Sequence, residues 1–225
     1  MTVPRAVRDN SLSLAFGGLL LLTLAGQAGV GLAAYNEEAR THGLAQIGML
    51  RYVTSSAFAV DVAENWQSEF LQFTLYILLT VWLVQRGSSE SKPPEDAGLG
   101  SDAEQFVGRY ARPDSPRPVK AGGWASGLYS VSLTLAMAAI FLLSWAAQAV
   151  TGRVALNEER FRDLLDPLTL GEYLLDTDFW GRTLQNWQSE FLAVGTMAIF
   201  SVFLRQRGSP ESKPVGSPDA ETPSP

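Results

Sequence analysis

Cysteine is absent from the 225-residue chain, histidine occurs once, at His42, and charged residues make up only 18 % of the total. Each shortage removes a class of chemistry. Without thiols, and with a single imidazole, no Cys/His zinc cluster and no cysteine nucleophile can form. A Ser-His-Asp arrangement would have His42 alone to draw on, and no G-x-S-x-G elbow exists to present a serine. The phosphate loop G-x-x-x-x-G-K-[ST] and the dinucleotide turn G-x-G-x-x-G are also missing. A net charge of −6 disfavours nucleic acid as a partner. The inventory speaks against an enzyme and implies no cofactor and no metal centre.

What the chain has instead is apolar residues, 46 % of it, gathered in blocks rather than dispersed as a soluble core requires. Ser11–Ala34 and Trp124–Thr151 each run uncharged for more than the ~20 residues a membrane-spanning helix needs. Phe70–Val84 and Phe191–Leu204 are shorter. Arg5 and Arg8 ahead of the first block resemble the start of a signal peptide, but the block exceeds the ~7–15 residues of a signal core, and its mid-chain counterpart cannot be one. Both are read as retained spans.

The hexapeptide N-W-Q-S-E-F occurs twice, at Asn65–Phe70 and Asn186–Phe191, 121 positions apart. The same offset aligns Ser11–Pro93 with Ser132–Pro214 without a gap. It pairs Gln27 with Gln148, Asn36-Glu37-Glu38 with Asn157-Glu158-Glu159, Tyr52 with Tyr173, and QRGSSESKP with QRGSPESKP. Identity over the aligned stretch is roughly 40 %, far above chance for a fixed period. The expected architecture is an all-α integral membrane protein of four transmembrane helices, formed as two parallel (direct) repeats of a helical hairpin. An even number of spans per copy makes both copies enter from one side, related by an axis along the membrane normal.

The expected boundaries are an N-terminal segment 1–10; repeat 1 over 11–93, with spans near 12–34 and 66–85; a disordered linker 94–121, rich in Pro, Gly, Ser and charge; repeat 2 over 122–214, with spans near 124–150 and 187–205; and a disordered tail 215–225. Eleven of the 17 Lys and Arg residues fall in the N-terminus, linker and tails, and six in the segments between paired spans. The positive-inside rule therefore puts both termini in the cytoplasm and the protein in the cell (inner) membrane. Ile47, Leu50, Val53 and Phe58, and Leu168, Leu174, Leu175, Phe179 and Trp180, suggest short amphipathic helices on the outer face, and the sequence leaves open whether the second and fourth helices begin at N-W-Q-S-E-F or run on from near Ala57 and Asp178.

The tandem order, R-D-N, apolar block, N-E-E, then N-W-Q-S-E-F, apolar block, Q-R-G-S and E-S-K, resembles an uncharacterised bacterial membrane protein family catalogued only as a domain of unknown function. The resemblance covers nearly all of Arg8–Pro214 and brings no activity, substrate or cofactor with it. The second copy departs from the pattern, having Tyr129-Ser130-Val131 in place of R-D-N.

Three sets of residues invite a role. Asn65 and Asn186 could cap the second and fourth spans, with Trp66 and Trp187 as interface anchors and Glu69 and Glu190 favouring the positive helix ends. Alternatively, the shortness of Phe70–Val84, 15 residues or about 22 Å of helix against a ~30 Å hydrocarbon core, draws Glu69 and Glu190 into the outer leaflet. There Gln27 and Gln148, at a similar depth, would meet them, giving a candidate polar membrane site of Gln27, Glu69, Gln148 and Glu190. The acidic clusters Asn36, Glu37, Glu38 and Asn157, Glu158, Glu159 form the outer face, where ion pairing or solvation outweighs binding of a hard divalent cation. Gly87 and Gly208 suit left-handed helix C-caps, and the conserved order of E-S-K-P after them points to a docking contact with a partner protein or with the other copy's tail. The functional expectation is an accessory or partner-binding membrane protein, in contact with lipid and with itself or a membrane partner. The alternative is a small channel or transporter built on the four polar residues.

Overall fold

The computed structural model describes residues 4–223; residues 1–3 of the expected N-terminal segment and 224–225 of the tail lie outside them. Every regular element among the described residues is helical. In chain order these are α1 (Arg5–Asp9), α2 (Ser11–Thr41), α3 (Met49–Val53), α4 (Ser56–Leu79), α5 (Arg117–Ala121), α6 (Gly123–Ser130), α7 (Ser132–Arg162), α8 (Leu170–Tyr173) and α9 (Thr177–Phe203). The linker carries two 3₁₀ turns, at Pro94–Asp96 and Gly108–Tyr110.

Two helices, α2 and α7, are long and apolar enough to cross a membrane. At 31 residues each they extend about 46 Å. Both run on through N-E-E, past the ends near 34 and 150 expected from hydropathy. The added turns are rich in Glu and Arg, which are good helix formers, and place arginines in the last turn, where the helix dipole favours them. The apolar block from Trp124 is not one helix, because α6 ends at Val131 (φ −117°, ψ 9°) before α7 starts.

The starts of α4 and α9, left open by the sequence, fall at Ser56 and Thr177, beside the earlier of the two alternatives. N-W-Q-S-E-F does not head a helix; it lies near the middle of one. Asp176 caps α9 by accepting from the Asp178 amide at 2.8 Å, and α8 before it opens on a capping box of Thr169 and Glu172. Asn186 caps nothing and donates its side-chain N–H to Arg182 O at 2.9 Å, one turn back. With 24 and 27 residues, α4 and α9 extend about 36 and 40 Å, and the added length lies in the partly charged segments that precede N-W-Q-S-E-F. The two helices end at Leu79 and Phe203.

The chain divides into two compact units, residues 1–62 with 150–167, and residues 63–149 with 168–225. In the first, α3 lies on α2. Tyr52 is buried, and a Cβ on Gly31 would collide with its hydroxyl, so this approach requires glycine. The ring sits 5.8 Å from Tyr35 and 5.6 Å from Phe58. Asn36 fixes the returning chain, donating to Ile47 O at 3.0 Å and accepting from Ile47 N at 2.8 Å. In the second unit, Trp145 of α7 is the hub of an aromatic cluster with Phe141, Phe179, Trp180 and Trp187, at centroid distances of 5.6 to 6.2 Å.

Candidate functional site

The two copies of N-W-Q-S-E-F meet each other within the second unit. Trp187 of α9 donates its indole N–H to Gln67 Oε1 of α4 at 2.8 Å, and Ser68 Oγ donates to Glu190 Oε1 at 3.4 Å. Gln67 is fully buried and Ser68 is 1 % exposed. Beside them Gln148 of α7, also fully buried, donates through Nε2 to Thr183 Oγ1 of α9 at 3.3 Å. The helix period explains the assembly: Thr183 and Trp187 are four apart on one face of α9, and Trp145 and Gln148 three apart on one face of α7. Among the described residues, Gln67 Nε2, Gln148 Oε1 and Trp145 Nε1 are buried without a partner. A polar core with orphaned donors and acceptors is energetically exposed to any change around it.

An ionic layer lies toward the start of α9. Arg182 binds Glu64 at 3.1 Å and Asp178 at 3.2 Å, and Asp178 accepts from the Tyr173 hydroxyl at 3.0 Å. Burial, reinforced by the negative charge of Asp178, holds the Tyr173 hydroxyl protonated well above the ordinary tyrosine range.

The four residues expected to form one polar site are thus partly redistributed. Gln148 and Glu190 lie in the same unit but not as a pair: Gln148 turns to Thr183 and Glu190 to Ser68. Glu69 is exposed, within electrostatic reach of Glu190, while Gln27 is half-buried in the other compact unit. Trp66 is 42 % exposed, whereas its counterpart Trp187 is committed to Gln67. The acidic clusters are engaged in pairing. Glu37 binds Arg40 at 2.6 Å, Glu38 pairs with Arg162, and Glu158 accepts from Ser56 Oγ at 3.1 Å. Asn157 and Glu159 also have partners. No group of three His, Cys, Asp or Glu residues able to hold a metal ion occurs among the described residues.

Gln67, Thr183 and Trp145 were not legible as site residues. Gln67 and Gln188 stand in identical hexapeptides, and only burial tells them apart. Thr183 becomes visible once α9 is known to begin at Thr177, because it then shares a face with Trp187.

At the far ends of α4 and α9 the repeated Q-R-G-S-x-E-S-K forms the same small loop twice. Ser91 Oγ accepts from Gln85 N at 2.8 Å and Ser212 Oγ from Gln206 N at 2.8 Å; Ser88 Oγ accepts from Glu90 N at 3.0 Å and Ser209 Oγ from Glu211 N at 3.2 Å. Gly87 (φ +84°) and Gly208 (φ +85°) take the left-handed conformation inside these loops rather than as helix caps, since both helices have ended several residues earlier. The loops touch. Ser88 Oγ and Ser201 Oγ are 2.7 Å apart, and Ser89 Oγ donates to Glu211 O at 2.8 Å. Lys213, 2 % exposed, gives its ammonium to the carbonyls of Pro218, Asp219 and Glu221 at 3.2, 2.9 and 3.1 Å, and Gly87 N donates to Thr222 Oγ1 at 2.7 Å.

One family model, described as a domain of unknown function (DUF6766), matches residues 3–224. No curated protein and no solved structure shows significant similarity to the chain.

Proposed function

Because the chain belongs to the DUF6766 family, whose description assigns no activity, we propose a function from its own geometry: an accessory membrane protein that works through helix and tail contacts rather than through catalysis. The observation that carries this reading is the Trp187–Gln67 bond, in which the most distinctive repeated motif joins two helices. Interhelical hydrogen bonds of buried amides hold helices together where lipid offers no polar alternative.

In this reading the protein is a multi-pass protein of the cell inner membrane, with α2, α4, α7 and α9 as its four spans and both termini cytoplasmic. Support for a duplicated hairpin comes from the helix starts. α2 and α7 begin at 11 and 132, α3 and α8 at 49 and 170, α4 and α9 at 56 and 177, each pair offset by the 121 of the sequence repeat. Support for the orientation is the excess of Lys and Arg on the terminal and linker side. The absence of cysteine permits a direct test. Single cysteines at 42 and 163 should react with an impermeant thiol reagent on intact cells, and those at 100 and 216 should not. The reverse pattern would refute the topology. Cross-linking in the native membrane should capture a fixed partner or a second copy of the chain.

A channel or transporter is the second reading, favoured by the unpartnered Gln67 Nε2 and Gln148 Oε1 in the unit that also holds Glu190 and Glu69. Ion flux in proteoliposomes that disappears on Glu69→Gln and Glu190→Gln would establish it and displace the first. Flux at the level of empty liposomes would retain the first.

A further inference from the structure

At the end of the second unit that carries the Q-R-G-S loops, a cavity of about 340 Å³ opens between α4 and α9. Leu75, Leu79, Leu83, Val194 and Ala198 make its walls apolar, and Tyr76 and Glu90 stand at its polar edge. The volume is within the range of small-molecule pockets, which begin near ~300 Å³. Glu90 follows the loop glycine by three residues, and the turn at Ser88 folds it back onto α4, where one carboxylate oxygen accepts from the Tyr76 hydroxyl. The other, Oε1, is buried and has no partner.

The charge around this oxygen is one-sided. Glu211, from the second copy of the motif, lines an adjoining hollow together with Glu90, Tyr76 and Gln72. The two nearby lysines are turned to backbone: Lys92 donates to Gly98 O at 2.7 Å, and Lys213 to its three carbonyls. Glu90 is half-buried, and among the described residues its carboxylate receives one hydroxyl bond and no ion pair. The complement to a carboxylate at the edge of an apolar hollow is a cation attached to an apolar body. We propose that this cavity binds a hydrophobic organic cation, such as an alkylammonium, with its apolar body against Leu75, Leu79 and Val194 and its cationic head against the Glu90 carboxylate. The site is separate from the Trp187–Gln67 contact, and its occupancy is independent of whether that contact is structural.

The test uses the full chain in nonionic detergent, titrated calorimetrically with octyltrimethylammonium, the heat of partitioning into empty micelles being subtracted. Octanoate and octanol serve as anionic and neutral matches of the same chain length. Saturable binding of the cation alone is expected. Glu90→Gln should weaken it by about tenfold or more, while Glu90→Asp, which keeps the charge, should retain most of the affinity. Gly195→Leu should abolish binding without disturbing the fold, because a Cβ at Gly195, on the cavity wall, meets no atom within 4 Å and leucine favours a helix over glycine. Far-UV circular dichroism and elution volume verify that each variant is folded. Absence of saturable binding, equal binding of octanoate or octanol, or an unchanged affinity in folded Glu90→Gln would each overturn the proposal.

Discussion

Replacing Trp187 by phenylalanine keeps an aromatic ring against Trp145 and removes the donor that reaches Gln67 Oε1 at 2.8 Å. Gln67 is fully buried and its Nε2 is already unpartnered, so the whole amide is left without a hydrogen bond. A stranded buried polar group costs about 1–3 kcal/mol. Interhelical bonds measured in membranes average ~0.6 and reach ~1.7 kcal/mol. A loss of about 1–2 kcal/mol is therefore expected, near the upper membrane value because the amide has no second partner. Gln67→Leu removes the acceptor and strands only the indole N–H of half-buried Trp187, so its effect should be smaller, about 0.5–1 kcal/mol. The double variant leaves neither group unpaired, and its effect should fall short of the sum by about 1 kcal/mol. The assay is reversible unfolding in mixed micelles of nonionic detergent and dodecyl sulfate, followed by far-UV circular dichroism so that the lost tryptophan does not distort the signal. Additivity within about 0.3 kcal/mol would refute the bond as a stabilising contact.

Three further outcomes follow from the same structure. Lys213→Met removes the donor to the carbonyls of Pro218, Asp219 and Glu221, so amide exchange across 217–222 should quicken by about tenfold or more, with α2 and its partners unaffected; uniform slow exchange would contradict the tail's dependence on this lysine. Gly31→Ala drives a Cβ into the Tyr52 hydroxyl and should destabilise by about 1–3 kcal/mol, partly relieved by Tyr52→Phe in a thermal unfolding comparison; no relief would mean that the ring, not the hydroxyl, sets the clash. Burial first, and then the charge of Asp178, raise the Tyr173 pKa. The unfolded chain then loses this proton at a lower pH than the folded chain, so the stabilisation is complete below the ordinary tyrosine pKa of ~10 and declines as pH rises above it. Tyr173→Phe should flatten that alkaline decline, and an unchanged slope would assign it elsewhere.

Hydropathy made α2 and α7 legible because a long uncharged run has few alternatives, and the arginine-rich turns beyond them were missed because hydropathy stops at the first charge while a helix does not. The starts of α4 and α9 stayed undecided in the sequence for a related reason. Ser56–Glu64 and Thr177–Gln185 mix Asp, Glu, Arg and aromatic residues, and the start of α9 is held by the Asp176 cap and by the pair of Asp178 with Arg182. N-W-Q-S-E-F competes as a helix start for the same reason, since Asn is a good cap only when the turn before it is not helical. Gln148 is fully buried, and its partner, Thr183, lies three residues before Asn186 and outside the motif that drew attention. The expected Gln27–Glu69 contact rested on depths counted from helix ends that the structure places elsewhere. The bonds of Lys213 to the tail are invisible to composition, because a Pro- and Ser-rich stretch contains no periodic signal of the contact that orders it.

The union of the two hexapeptides runs in one direction. Trp187 reaches Gln67, while their counterparts Trp66 and Gln188 stand exposed. Around this bond the halves have diverged in kind: where the second has Trp145 and Thr183, the first has Leu24 and Val62 at the matching positions. Valine cannot accept the hydrogen that threonine takes from Gln148, and leucine cannot gather four aromatic rings. The halves are therefore not interchangeable parts. A chain assembled from two first halves would repeat every letter of N-W-Q-S-E-F and still lack the acceptor and the ring hub, so two such halves could not reproduce the join by associating as a symmetric pair. Covalent linkage of unequal copies supplies what symmetry would forbid, a contact that only one of the two ever has to make.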